Sequence, residues 1–514
     1  MLKKLSKVLF SRLVIVCMLI LIQFVWIVLL AYRISATFTY ASAIIRTLAI
    51  IVSLRIANKR SNPTMKLAWT FIILAVPVLG LTLYWIFGRS DLNKKMRIRF
   101  ERTNREFEEY LKGDKNLRTQ LQELDSNISN QSEYINKWAG FPLCQNTSTD
   151  YFSSGEEMFE QMKTDLENAK HYIFLEYFII EQGHMWNSIL EILERKIKEG
   201  VEVRLIYDDV GCISTLPHHY YKILQSKGIK CAAFNPFRPM LSIIMNNRDH
   251  RKILVIDGFI AYTGGINLAD EYINKIERFG YWKDTGIRLE GEAVWNFTAM
   301  FLEMWNSITH TDMPQDYLKY KPYVYHEEGF CSDGFVQPYC DSPLDGETVG
   351  ENVYLNMISK AKKYVYIFTP YLVTDNELVT TLCIAAKSGV DVRIVIPGIP
   401  DKKIVYWVGE SYFPRFIEAG IKIYRFKPGF IHAKCYVCDD EVATVGTFNM
   451  DYRSLYLHFE CGVWMYKSKA VKQMKEDMLK TFEQSELITS EDCKNRFWLV
   501  KSIQELFILF APLL

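Results

Sequence analysis

The strongest constraint on this chain is a pattern that it carries twice. His250-Arg251-Lys252 is followed by four apolar residues, Asp257, six further residues and Gly264-Gly265-Ile266-Asn267. His432-Ala433-Lys434 is followed at the same distances by Asp439 and by Gly446-Thr447-Phe448-Asn449. The two copies take two of only nine histidines in 514 residues. The rest of the chain is best understood as what holds and locates them.

In each copy the four residues before the Asp, 253–256 and 435–438, form a short run bounded by polar residues, which predicts a buried strand. Residues i and i+2 of a strand share a face, so His250 projects beside Lys252 and His432 beside Lys434. Asp257 and Asp439 complete the motifs but lie an odd number of residues away. They should face elsewhere and support the site structurally. The Gly-Gly and Gly-Thr pairs permit a tight turn and a close approach of an anion to backbone. Asn267 and Asn449 add amide donors, which with Lys252 and Lys434 suit the oxygens of a phosphate. Imidazole can act as nucleophile or proton carrier near neutral pH. A single His-x-Lys is more often a surface edge than a catalyst, but two copies agreeing at His, Lys, Asp, Gly and Asn leave coincidence no serious part. Lysine beside each histidine is a poor neighbour for a cation, and no Cys/His cluster completes a metal site.

The surrounding sequence repeats as well. Ala169-Lys170-His171-Tyr172-Ile173-Phe174 parallels Ala361-Lys362-Lys363-Tyr364-Val365-Tyr366, and Gly200-Val201-Glu202-Val203-Arg204 parallels Gly389-Val390-Asp391-Val392-Arg393. Each unit runs helix, strand, helix, strand and then the His-x-Lys strand, which predicts tandem α/β halves with helices covering a sheet. The first half spans about 150–320 and the second 340–514. A boundary near 315–345 is marked by Pro314, Pro322, Pro338 and Pro343.

The doubled motif resembles that of the phospholipase D superfamily, over roughly residues 150 to 514. The resemblance implies two halves facing each other across one active site. It implies that His250, Lys252, Asp257, His432, Lys434 and Asp439 form the catalytic motifs, with His250 as nucleophile and His432 as acid. It also implies Asp284 and Glu460 as the carboxylates that orient the histidines, although each could be an ordinary surface carboxylate. Asp451, Arg453 and Ser454 match the family. Lys283, Gly286 and His458 depart from it, where Arg, His and often Asn are usual. No metal and no cofactor is implied.

The first 90 residues read as a transmembrane anchor. Leu13 to Ala31 is apolar except for Gln23 and is preceded by Lys3, Lys4, Lys7 and Arg12. A second uncharged run covers 67–87, with Pro77 and Gly80 inside it. Residues 38–54, interrupted by Arg46, form a third span or an interfacial segment. An even number of spans puts the catalytic region in the cytoplasm, where the eleven scattered cysteines remain reduced. Asn62-Pro63-Thr64-Met65-Lys66, Pro77-Val78-Leu79-Gly80 and Phe87-Gly88-Arg89 are similar to the membrane region of bacterial cardiolipin synthases of the phospholipase D type.

Residues 91–149 are charged and predict a solvated helical linker. The tail from Arg496 to Leu514 reads equally as a core helix or as one touching lipid. Net charge of +2 gives no sign of a nucleic-acid partner. The resemblance implies a phosphatidyltransferase of the cell membrane with phosphatidylglycerol and cardiolipin as its lipids. It makes cardiolipin and glycerol through a phosphatidyl-histidine intermediate. A membrane-bound hydrolase of the same superfamily, another phosphatidyltransferase and an idle scaffold remain the alternatives.

Overall fold

The computed structural model describes residues 18–19, 21–26, 28–29, 33, 39–59, 61–88, 94–236, 247–309, 316–494, 504 and 507–513. The apolar runs of both motifs are fully buried strands, Lys252–Ile256 and Cys435–Cys438. Each sits in the middle of its own sheet. The first sheet has seven strands in the order Thr147–Phe152, Gly286–Gly291, Ile260–Gly264, Lys252–Ile256, Tyr172–Tyr177, Glu202–Asp208 and Lys230–Phe234. The second runs Phe335–Asp341, His458–Tyr466, Val442–Gly446, Cys435–Cys438, Tyr364–Phe368, Asp391–Pro397, Lys422–Phe426 and Ser485–Leu487. In both, the repeat strand next to the motif strand pairs with it antiparallel and with the following repeat strand parallel. This is the duplicated α/β arrangement that the internal repeat implies.

The two sheets are joined by an exchange of edges. Arg248–Asp249, just before His250, pairs parallel with His458–Phe459 of the second half. Gly429–Ile431, just before His432, pairs parallel with Tyr281–Lys283 of the first. The helix Val294–Thr309 is buried almost all round, as a helix apolar on every side must be. One core cluster contains its Phe297, Met300 and Phe301 together with Phe174 and Val255 of the first sheet and Val437 and Val463 of the second. A continuous apolar core therefore fixes the halves against each other.

Cys435 belongs to that shared core, whereas Cys438 lies in the core on the other side of the second sheet. The Cys-x-x-Cys spacing thus sends the two thiols to opposite faces.

The segment read as a solvated linker is three helices, Lys94–Glu108, Lys115–Leu124 and Ser126–Trp138. Each has a narrow buried stripe beneath its charges. Phe100 and Phe107 enter the shared core, with Phe100 stacked on Phe459 at 5.0 Å. Leu117, Leu121, Ile128 and Ile135 enter the core of the second half. Sparse apolar residues at helical spacing were enough to dock these helices.

Of the span read over 13–31, residues 18–19, 21–26 and 28–29 are described and helical, and most of the tail after residue 494 lies outside the described residues. Of the segment 38–54, residues 39–54 fall in a helix, Thr39–Ala57. The run 67–87 is broken into Pro63–Ala75 and Pro77–Phe87, with Val76 extended at φ −135° and ψ 79°. The cause is Pro77, whose ring excludes helical backbone at the preceding residue. A Cβ on Gly80 would stand 2.5 Å from the Ile72 carbonyl oxygen, so glycine permits the tight fold-back. Among the described residues no helix is long and apolar enough to cross a membrane.

Candidate active site

The edge exchange delivers the two histidines to one place. His250 donates its backbone N–H to the Phe459 carbonyl at 2.9 Å, and His432 donates its own to the Lys283 carbonyl at 2.7 Å. The carboxylates then cross between halves. Glu460, of the second half, lies 2.9 and 3.0 Å from Nδ1 of His250. Asp284, of the first, lies 2.7 Å from Nδ1 of His432. Both carboxylates are fully buried, and both histidines are buried except for a small opening. A proton on each Nδ1 directed at its carboxylate leaves Nε2 of each ring with a free lone pair.

Lys252 and Lys434 are buried at the same centre. Lys252 Nζ donates to the His250 carbonyl at 2.6 Å, and Lys434 Nζ donates to the His432 carbonyl. Lys434 Nζ also stands 2.8 Å from His432 Nδ1. That nitrogen cannot donate to Asp284 and accept from Lys434 at once, so the carbonyl is the ammonium's acceptor and Asp284 the ring's.

The glycine pairs serve the carboxylates. A Cβ on Gly265 would meet Asp284 Oδ1 at 2.0 Å, so the absence of a side chain lets that carboxylate in. At the equivalent place Thr447 keeps a hydroxyl that donates to Glu460 Oε2. Ser454 donates to Glu460 Oε1 at 2.6 Å. Glu460 is therefore held by Thr447, Ser454 and His250 together.

Burial dominates the electrostatics. It pushes His250 well below the usual imidazole range, with Lys252 adding to the effect, and it pushes His432 down to about 4, with Lys434 adding. It lowers Lys252 to about 8 and Lys434 to about 7. Burial alone would raise Asp284, but His432 and Lys434 hold it below the usual carboxylate range. Glu460 goes up, because burial outweighs Lys252. Burial thus favours the neutral form of both imidazoles and brings the lysines closer to losing a proton. An anion between the lysines would offset the charge that helps depress the imidazoles.

The other expected residues are not all at this centre. Asp257 and Asp439, counted with the catalytic motifs, stand at the far ends of their strands. Asp257 accepts the backbone N–H groups of Lys170, His171 and Tyr172, each at 2.8 Å. Asp439 accepts those of Lys362, Lys363 and Tyr364 at 2.6, 2.8 and 2.9 Å. Both have positive φ, 49° and 56°, so they end the strands and tie them to the neighbouring repeat strand. Their place is structural, because a carboxylate spent on three amides at that distance touches no reacting atom. Asn267 is engaged too: its Oδ1 accepts from Ile179 N–H at 3.0 Å and its Nδ2 donates to the Tyr272 hydroxyl at 2.7 Å. A phosphate-holding role for Asn267 needs those bonds to exchange. Asn449 is buried with Oδ1 unpartnered.

Sequence reasoning did not foresee the bonds from Thr447 and Ser454 to Glu460, nor the placing of His458. Its ring centroid is 5.5 Å from that of His250. The available signal was the strand period, since His458 and Glu460 are two residues apart and share a face. Lys283, where the family has Arg, pairs with Asp477 at 2.7 Å across the halves. Among the described residues, His250, His458 and Glu460 set ligand atoms within 4.8 Å of one another, as do Glu351, Asp375 and Glu377. A cation in the first group would displace the hydrogen bond that orients His250.

The family described as "Cardiolipin synthase, PLD-like domain" matches residues 162–305 and 354–482, and "Phospholipase_D-nuclease N-terminal" matches 47–89. An uncharacterized protein of Streptococcus mutans is 45% identical over 90% of this chain and 99% of its own length. Cardiolipin synthase of Halalkalibacterium halodurans is 34% identical over 92% of this chain and 93% of its own. Cardiolipin synthase 1 of Staphylococcus aureus is 34% identical over 92% and 96%. Among solved structures, phosphatidylserine synthase of Haemophilus influenzae covers 75% of this chain and 98% of its own with a TM-score of 0.56 and 16% identity, a likeness of fold.

Proposed function

The chain belongs to the cardiolipin synthase family of phospholipase D-like proteins, and from that premise we propose that it is a phosphatidyltransferase that makes cardiolipin and glycerol from two molecules of phosphatidylglycerol. The observation that carries the reading is the pairing of two buried imidazoles, each held at Nδ1 by a carboxylate from the opposite half.

His250 Nε2 attacks the phosphorus of the first lipid. The P–N bond forms, the P–O bond to glycerol breaks, and His432 gives its proton to the departing oxygen. That proton is present because the phosphodiester anion offsets Lys252 and Lys434 and so raises the imidazole pKa. In the second step the terminal hydroxyl of another phosphatidylglycerol attacks the same phosphorus. Its proton passes to His432, the P–N bond breaks and His250 is released. Lys252 and Lys434 stabilise the charge on the non-bridging oxygens in both steps.

The protein works at the cell membrane. The exposure of Ile44, Leu48, Ile51, Leu54, Phe71, Leu74 and Trp85 on the N-terminal helices supports their contact with a bilayer. Two-dimensional concentration of the acceptor favours its hydroxyl over water.

The test is quantitative lipid analysis after purified protein is incubated with phosphatidylglycerol vesicles. Glycerol release matched by cardiolipin is expected, and excess glycerol drives the exchange backwards because one alcohol replaces another. Phosphatidic acid as main product, insensitive to glycerol, would make the protein a phospholipase.

A further inference from the structure

A cavity of about 1060 Å3 opens between the N-terminal helices and the second half. Ile56, Trp69, Ile72 and Leu83 line it from the helices, and Asn247, Arg453 and His458 line it from the catalytic body. It is separate from the centre where the imidazoles meet their carboxylates, yet His458 belongs to both.

We propose that this cavity is the acceptor subsite, which takes a glycerophospholipid whose head group ends in a free hydroxyl, and that His458 hydrogen-bonds that hydroxyl. The inference rests on the transferase reading given above and names the site where that reaction's second lipid binds.

Three observations support it. First, neither ring nitrogen of His458 has a hydrogen-bond partner, and Glu460 Oε1 stands 3.7 Å from its Nδ1. A buried polar group left so costs about 1–3 kcal/mol and calls for a ligand or a water. Second, the ring lies against His250, where the phosphatidyl group is held, so a hydroxyl bound to it stands next to the phosphorus. Third, the cavity has the two characters of a lipid. Its helix wall sets Ile56, Trp69, Ile72 and Leu83 beside the ammonium groups of Lys59 and Lys66, and its other wall offers Asn247, Arg453 and His458 as hydrogen-bonding groups.

Four carboxyl groups line that second wall, Asp341, Glu347, Glu351 and Glu377. Burial pushes Asp341 well up and Glu351 to about 9, so these two lean toward their neutral forms, and it raises Glu377 as well. Glu347 accepts from the Tyr134 hydroxyl at 2.6 Å. Burial likewise holds His458 below the usual imidazole range, with Arg453 and Arg248 adding, and a neutral ring keeps one N–H that donates to the alcohol oxygen and leaves the hydroxyl proton for His432. In the reaction the held hydroxyl oxygen bonds to phosphorus, its proton goes to His432, and the P–N bond to His250 breaks. No other reactant is required.

The experiment compares full-length wild type, His458→Ala and His458→Asn on phosphatidylglycerol vesicles, with cardiolipin, phosphatidic acid and glycerol measured together. His458→Ala should lower the ratio of cardiolipin to released glycerol by about tenfold, with phosphatidic acid making up the difference. His458→Asn, which keeps a donor and an acceptor, should recover much of the ratio. Leu83→Trp narrows the cavity from the helix side without touching the catalytic groups, and should raise the KM for phosphatidylglycerol at least about fivefold. An unchanged ratio in His458→Ala, or a parallel fall of both products, overturns the inference alone, as does an unchanged KM in Leu83→Trp should His458→Ala not fold. Phosphatidic acid without cardiolipin from the wild type overturns the transferase reading and the inference with it.

Discussion

Glu460 Oε2 lies 2.9 Å from Nδ1 of His250, a residue 210 positions earlier in the chain. The reciprocal bond joins Asp284 to His432 over 148 positions. Neither half holds a complete histidine–carboxylate pair of its own, so the unit of catalysis is the assembled pair of halves.

Removing either exchanged carboxylate should therefore disable the histidine of the other half. Glu460→Gln and Asp284→Asn are each expected to lower kcat by about 10²-fold or more, with the protein still folded by circular dichroism. His250→Ala and His432→Ala should reduce turnover further. Near-normal turnover in any of the four would show that the cross-half pairs do not serve the reaction.

Gly265 makes room for Asp284, and the consequence can be measured with one methyl group. Gly265→Ala places a Cβ where Asp284 Oδ1 now stands. The carboxylate must move, and activity is expected to fall by about 10²-fold. Thr447→Ala removes only one of the bonds to Glu460 and should cost less. Equal activity in Gly265→Ala and wild type, measured as kcat at saturating lipid, would rule out this account of the glycine.

Asp257 separates stability from chemistry. Its carboxylate accepts three backbone N–H groups and bonds to neither His250 nor His432. Asp257→Asn should lower stability by about 1–3 kcal/mol. Turnover per folded molecule should remain far above that of His250→Ala. Thermal unfolding and activity on the same preparations decide it. A fall in turnover equal to that of His250→Ala, with no change in Tm, would place Asp257 in the reaction after all.

The depressed lysines make anion binding a proton-linked event. Lys434 near about 7 and Lys252 near about 8 are partly neutral at pH 7.5. An anion raises both pKa values, so binding takes up protons, and affinity weakens as pH rises through that range. Calorimetry with dimethyl phosphate in buffers of different ionisation enthalpy should show proton uptake at pH 7.5. Binding heats independent of buffer at pH 7.5 would mean that the lysines are already fully charged in the empty site.

Much of this was legible in the residues. Lys252–Ile256 and Cys435–Cys438 lie where the apolar runs put them, and the repeat foretold two similar sheets. These are local matters: strand period, a short apolar run and a glycine turn act over a few residues, and any sequence with that spacing reports them. The break at Val76 was not legible in this way: Pro77 reads as tolerated inside one uncharged run, yet its ring ends the first helix there. The docking of Lys94–Glu108 was harder to see, because a few apolar residues such as Phe100 and Phe107 sit among many charges.

What the sequence by itself determined was the content of each half: a His-x-Lys strand, an Asp at its far end and a turn able to admit an anion. Which carboxylate faces which histidine was decided only when the halves packed. Spacing along the chain favoured neither partner. The choice follows from the shared apolar core around Val294–Thr309 and from the exchange of edge strands, which carry His250 to Phe459 and His432 to Lys283. Burial by that same packing, with no change in residue type, moves the lysines and imidazoles away from their solution pKa values, because removing water penalises every charge that the fold does not pair.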